Sequence, residues 1–213
     1  MFPGVISITD LQEKTRVRKT FLLFATLLFL SHSSANAQGT GRIIEWPPLD
    51  NPLGNVVSGE NGKMIPTDIK ALEIVFISAH GNRITPGESF TAQDDWLKTF
   101  TVRVKNTSGR SIQAIRLHFG LPEAKSGDAI SGFSLEYGRG LGTGIDYGEQ
   151  KVIPPGEEVE LFRNDRHYKR DSEGIAQRTG VSNFTRVLLG PATVKFEDGT
   201  VWTGWKLPIV AAR

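Results

Sequence analysis

The residues best equipped for chemistry in this chain are three of its four histidines, one pair of adjacent aspartates and a glycine-dense run. His80, His118 and His167 are far apart in sequence, and none has the close His-x-x-x-His spacing with added carboxylates that a zinc site needs. They read as solitary histidines, His118 on the wet face of a strand and His167 on a charged helix. Asp94-Asp95 is an adjacent pair of carboxylates in a loop before a strand, fit for a hydrolytic acid or a calcium ligand. Calcium wants about six to eight oxygens, and only Gln93 stands beside the pair, so turn formation is the plainer expectation. The run Gly138-Arg139-Gly140-Leu141-Gly142-Thr143-Gly144 has neither the lysine nor the following helix of a phosphate loop. Ser172, Ser182 and the other hydroxyls lack a nucleophile-elbow context, so no serine hydrolase is expected.

Two further groups point to binding rather than catalysis. Trp96, Trp202 and Trp205, with Tyr137 and Tyr147, are the aromatic residues that could form a platform for sugar rings, with core packing as the alternative. Arg163, Arg166, Lys169 and Arg170 cluster near a helix start, interleaved with Asp165 and Asp171, which reads as a solvated helix face or an anion-binding patch. The segment 138–148 holds five glycines and is expected to be a mobile excursion and recognition surface. The expected binding residues are Tyr137, Arg139, Leu141, Tyr147, Trp202 and Trp205, with no catalytic residue, no metal and no cofactor.

The N-terminus is read as an export signal. Lys14, Arg16, Arg18 and Lys19 precede the apolar run 21–30, and Ala35-Asn36-Ala37 forms a cleavage site before Gln38. Ten apolar residues are too few to span a hydrocarbon core of ~30 Å as a helix. Residues 1–37 are thus a signal peptide, 38–70 a Pro/Gly-rich leader and 71–213 the folded domain. The signal takes four of the 25 basic residues and two of the 23 acidic ones, leaving 21 of each. A balanced mature chain gives no ground for expecting nucleic acid as a partner. The chain has no cysteine, which excludes disulfides, thiolate metal sites and a cysteine-linked lipid anchor. The expected location is periplasmic or secreted, with no integral membrane segment after cleavage and an unknown protein or glycan as partner.

The elements that must hold these residues are strands. Phe100, Val102 and Val104 alternate with Thr101, Arg103 and Lys105, and Ile115, Leu117, Phe119 and Leu121 alternate with Arg116, His118 and Gly120. Such alternation gives each strand one apolar and one wet face. The first set should be buried, and Arg103, Lys105 and Arg116 exposed. Strands are expected near 72–79, 99–106, 112–121, 133–137, 158–162, 185–196 and 200–205, with a loop over 122–132. One helix is predicted over 165–179, capped by Asn164 or Asp165 and ended by Gly180. Gly190-Pro191 suggests a bulge. A two-residue Asp198-Gly199 turn would pair Lys195 with Trp202, whereas a three-residue turn would align Trp202 with Val194 and Phe196.

The order of these motifs, from Phe100-x-Val102-x-Val104-x-Asn106-x-Ser108 through Pro155-Gly156-Glu157 to Val194-x-Phe196-x-Asp198-Gly199-Thr200-x-Trp202, resembles bacterial extracytoplasmic domains of the immunoglobulin or fibronectin type III kind. The likeness covers about residues 71–207. It implies an all-β, immunoglobulin-like antiparallel two-sheet sandwich with an inserted helix, serving as a non-enzymatic accessory or adhesion module. It carries over no catalytic residue. A carbohydrate-binding module is the alternative expectation, and a carboxylate-dependent hydrolase at Asp94 or Asp95 the third.

Overall fold

The computed structural model describes residues 40–46, 55–58, 63–141, 151–205 and 207–209. The expected signal peptide, Tyr147 and most of the glycine run lie outside them. Twelve strands form two sheets with no barrel closure, and one α-helix accompanies them among the described residues. The strands are β1 (Thr40–Glu45), β2 (Val56–Ser58), β3 (Met64–Pro66), β4 (Leu72–Ala79), β5 (Asn82–Ile84), β6 (Ser89–Ala92), β7 (Thr101–Asn106), β8 (Ile112–Ser126), β9 (Ala129–Gly138), β10 (Glu158–Phe162), β11 (Arg186–Phe196) and β12 (Val201–Gly204), and the helix is α1 (Asp165–Thr179).

The larger sheet runs β3-β2-β12-β11-β1-β6, with β8 joined to β11 and β9 to β8. The smaller runs β10-β7-β4-β5. Strand β11 carries the larger sheet. Its first residues pair with β1, its last with β12, and β8 follows most of its length. The register shifts between Leu189 and Ala192, where Gly190-Pro191 forms the expected bulge.

Four features differ from the sequence expectation. Residues read as a leader contribute β1, β2 and β3 to the larger sheet, so the folded unit begins well before residue 71. Ile44 and Val56 are buried there, each giving its strand an apolar anchor in the core. The β1–β11 pair is parallel, so the larger sheet is not purely antiparallel. Strands β7 and β8 belong to different sheets, so the turn-rich residues 107–111 between them link the two sheets instead of closing a hairpin. The 122–132 stretch is no loop: β8 and β9 continue through it to a two-residue turn at Gly127-Asp128, with Gly127 at φ 61°.

The core lies between the sheets. Val102, Val104, Leu117 and Phe119 are buried as alternation predicts, while Arg103, Lys105 and Arg116 are half-buried rather than fully exposed. Phe100, Phe119 and Phe133 form an aromatic nest, with Phe119 stacked on Phe133 at 5.0 Å and Phe100 edge-on to both. Gly132 permits this closeness, because a Cβ there would sit 2.2 Å from the Phe119 carbonyl oxygen. Helix α1 has the predicted bounds: Asn164 Oδ1 accepts from the His167 amide at 2.8 Å, and Gly180 ends it at φ 74°.

Candidate functional site

Among the described residues, a recess lies on the flank where both sheets end. Strands β4 and β5 form a hairpin whose two turn residues, His80 and Gly81, have φ of 49° and 76°. Positive φ at both positions suits the right-handed twist of the hairpin, and histidine is among the non-glycine residues enriched there. After Ile84 the chain turns through Pro86-Gly87 and enters the other sheet as β6. Edge strand β5 of one sheet and edge strand β6 of the other therefore flank a cleft of about 420 Å³. Ile84 and Phe90 give it an apolar, at least half-buried lining, and His80, Arg83 and Thr91 are exposed along it.

The two aspartates diverge at one end of this flank. His80 Nε2 lies 3.6 Å from Asp95 Oδ1, and the His80 amide donates to Thr99 Oγ1 at 2.8 Å. Asp94 turns the other way and accepts from Arg42 Nη2 at 2.7 Å and Asn183 Nδ2 at 2.9 Å. Arg42 is buried and also donates through Nη1 to Asn183 Oδ1 at 2.5 Å and the Phe184 carbonyl at 2.6 Å. Trp96 Nε1 donates to that same carbonyl at 2.9 Å. Arg42 thus joins β1 to the 94–96 turn and to the residues before β11. Sequence reasoning missed it because it lay in the supposed leader; the signal was its two-residue spacing from Ile44, which places both on the inward face. Asp94 and Asp95 share no metal-type cluster with a third histidine or acid among the described residues.

The residues expected to bind fall into different environments. Trp202 lies opposite Val194, as a three-residue turn requires, and is buried, its Nε1 donating to the Ile69 carbonyl at 2.9 Å. Its ring covers Gly204, where a Cβ would lie 2.2 Å from Cη2. Trp202 is therefore a core residue, not a surface platform. Trp96 is buried as well, and Trp205 is half-buried beyond β12. Tyr137 donates its hydroxyl to the Lys151 carbonyl at 2.8 Å. Arg139 is exposed and Leu141 half-buried, its carbonyl accepting from Arg116 Nη2. Arg116 Nε also donates to Glu136 Oε1 at 2.8 Å, so the described start of the glycine segment is fastened over the outward-facing residues of β8 and β9.

The basic patch is also divided. Arg163 is buried, ion-paired with Asp171 and stacked over Phe133 at 4.7 Å, while Lys169 and Arg170 meet Glu173 and Asp171 on the helix. His118 is half-buried, sharing a hydrogen bond with Ser134 Oγ at 3.0 Å. Burial first, then the Arg116 charge, lowers its pKa. His167 is half-buried too, its pKa lowered by burial and then by Arg170.

No known protein family matches this chain, and neither does any curated protein or solved structure. Among the described residues no helix is long and apolar enough to cross a membrane.

Proposed function

We propose that this chain is an exported, immunoglobulin-like, non-enzymatic binding protein of the cell envelope, and that it holds its partner at the flank bounded by β5 and β6. The cleft between those two edge strands carries this reading, because it combines an apolar lining with exposed polar groups, the usual make-up of a recognition site. Export rests on the basic residues 14–19, the apolar run 21–30 and the Ala35-Asn36-Ala37 site. The carbohydrate-platform alternative needs an exposed coplanar tryptophan pair, and burial of Trp96 and Trp202 removes two of its members. The hydrolase alternative retains only the His80–Asp95 approach at 3.6 Å.

Amide exchange on the mature chain, with and without a soluble cell-envelope extract, tests the proposal. Slowed exchange over 79–93, abolished by Arg83→Glu, is the expected result. Unchanged exchange on this flank, or turnover of an envelope polymer lost in Asp95→Asn, would overturn it.

A further inference from the structure

We infer that β6 is a docking edge to which an extended peptide adds as a new strand, with an acidic side chain of that peptide directed to the Arg83 and His80 side of the cleft. The inference rests on the binding reading above and names its partner class.

The backbone of β6 is set for such pairing. Ile43 gives its amide to the Thr185 carbonyl on the β11 side, so the facing pair Ile43↔Ser89 is a non-hydrogen-bonded pair of the β1–β6 ladder. Two residues on, Gly41↔Thr91 is of the same kind. The N–H and C=O groups of Ser89 and Thr91 consequently point away from β1, and among the described residues no strand occupies that side.

Its sequence leaves that edge open. Sheet edges are normally guarded by charge, proline or a covering element. Strand β10 carries Glu158 and Glu160, β3 ends in Pro66, and β5 carries Arg83. Strand β9 carries Glu136, and Arg163 stacks on its Phe133. Ser89-Phe90-Thr91-Ala92 has neither a charge nor a proline, and its alternation suits strand pairing.

A cleft lies alongside this open edge. In strand addition the main-chain bonds supply affinity, and pockets for alternate side chains supply specificity. The cleft of about 420 Å³ is such a pocket, with Phe90 on the β6 side and Ile84 on the β5 side. Its charged lining is basic: Arg83 and His80 line it and no acid does. At one end of the flank Asp95 Oδ1 lies 3.6 Å from His80 Nε2, so Arg83 is the cation of this lining without an acidic neighbour at such range among the described residues. Arg83 spends one donor on the Val75 carbonyl at 3.3 Å and is otherwise exposed, which leaves its fork available to a carboxylate. Charge complementarity therefore selects an acidic extended peptide.

The test selects linear peptides from a phage-displayed library on the mature chain and synthesises the enriched sequences. Alternating apolar residues with an Asp or Glu are expected. Methylating alternate peptide nitrogens should weaken binding about fivefold to tenfold, the weight of one net hydrogen bond, while methylating the intervening ones should not. Thr91→Pro removes an outward donor without touching the β1 ladder and should weaken binding similarly, as should Arg83→Glu. The methylation scan uses wild-type protein, so it reads the proposal even if Thr91→Pro folds poorly. Peptides that protect 79–93 but ignore methylation would overturn strand addition and leave the cleft-binding reading standing. Peptides that protect β3 or β10 instead, or no enrichment, would overturn the inference. Sedimentation showing a peptide-free dimer lost in Thr91→Pro would overturn it in favour of a second copy as the occupant.

Discussion

Phe100 and Phe119 meet edge to face with ring centroids 5.3 Å apart, across the two sheets. Phe100 immediately precedes β7 and Phe119 lies in β8, and these consecutive strands face each other through the core instead of pairing. Phe119 also stacks on Phe133, so its ring has aromatic neighbours from both sheets. Phe119→Ala should cost about 3–5 kcal/mol, the range for truncating a buried phenylalanine. Urea denaturation reads this directly, and a loss below about 1 kcal/mol would show that the ring is not a core element.

Asn106 holds the crossing from β7 to β8 in place. Its Nδ2 donates to the Arg110 and Ile153 carbonyls at 2.8 and 2.9 Å, and its Oδ1 accepts from the Ser108 amide and hydroxyl at 3.0 and 2.6 Å. The residue is buried, so its hydrogen bonds have no ready water replacement. Asn106→Asp would set a carboxylate against two carbonyl oxygens. We expect a loss of about 2–4 kcal/mol at pH 7, combining a forfeited pair of bonds with desolvated charge. That carboxyl's folded pKa would be raised, so the unfolded chain loses its proton first as pH rises. The deficit relative to wild type should therefore shrink on going from pH 7 to pH 4. A deficit that grows in acid would contradict the assigned orientation of the amide.

Much of this architecture was legible because alternation and end signals are local. The strand at 72–79, the helix over 165–179 with Asn164 and Gly180 at its ends, and the bulge at Gly190-Pro191 all follow from neighbouring residues. Partner choice is not local. Alternation in β7 and β8 gives the correct inward faces but cannot say that the strands join different sheets. Composition also misleads where tertiary packing overrides it, as in β1, whose Gly41 and Arg42 suggest little about a paired interior strand. The cleft was unreadable for the same reason. His80 and Asp95 were each visible, but their approach depends on how the β4–β5 turn lies against the 3₁₀ turn at Trp96–Thr99.

His118 predicts a pH dependence. Its folded pKa lies below the ordinary 6.5, because burial and then Arg116 oppose its charge more than Glu136 favours it. The unfolded chain therefore binds the extra proton first as pH falls. The contribution to stability is complete above 6.5, declines as pH drops from there towards the folded pKa, and is constant below it. His118→Gln keeps a partner for Ser134 without a titrating ring and should flatten the stability curve between pH 7 and pH 5. His167 shifts in the same direction and should sustain part of the slope. Denaturation midpoints at four pH values would show it, and an unchanged slope in His118→Gln would refute the assignment.

Arg42 and Asp94 form an unequal pair. The Arg42 side chain is fully buried, whereas that of Asp94 is 75 % exposed. Desolvation therefore falls on the arginine, whose Nε is buried without a partner. Removing Arg42 strands little: the Phe184 carbonyl keeps its bond from Trp96 Nε1, and Asn183 Nδ2 keeps Asp94. Replacing buried ionic groups by apolar ones of similar size is often neutral or stabilising. Arg42→Met should accordingly change stability by no more than about 1 kcal/mol. Asp94→Ala leaves the cation buried without its counter-charge. Full burial of both partners would make that loss about 3–5 kcal/mol, and water reaching the Asp94 side should reduce it to roughly 1–3 kcal/mol. Adding Arg42→Met to Asp94→Ala should then recover most of the loss, because the stranded charge is gone. Urea denaturation of the two single variants and the double variant measures all three. If Arg42→Met proves the more damaging single change, or the double variant is worse than both, the guanidinium stabilises this junction on its own account and the desolvation argument is wrong.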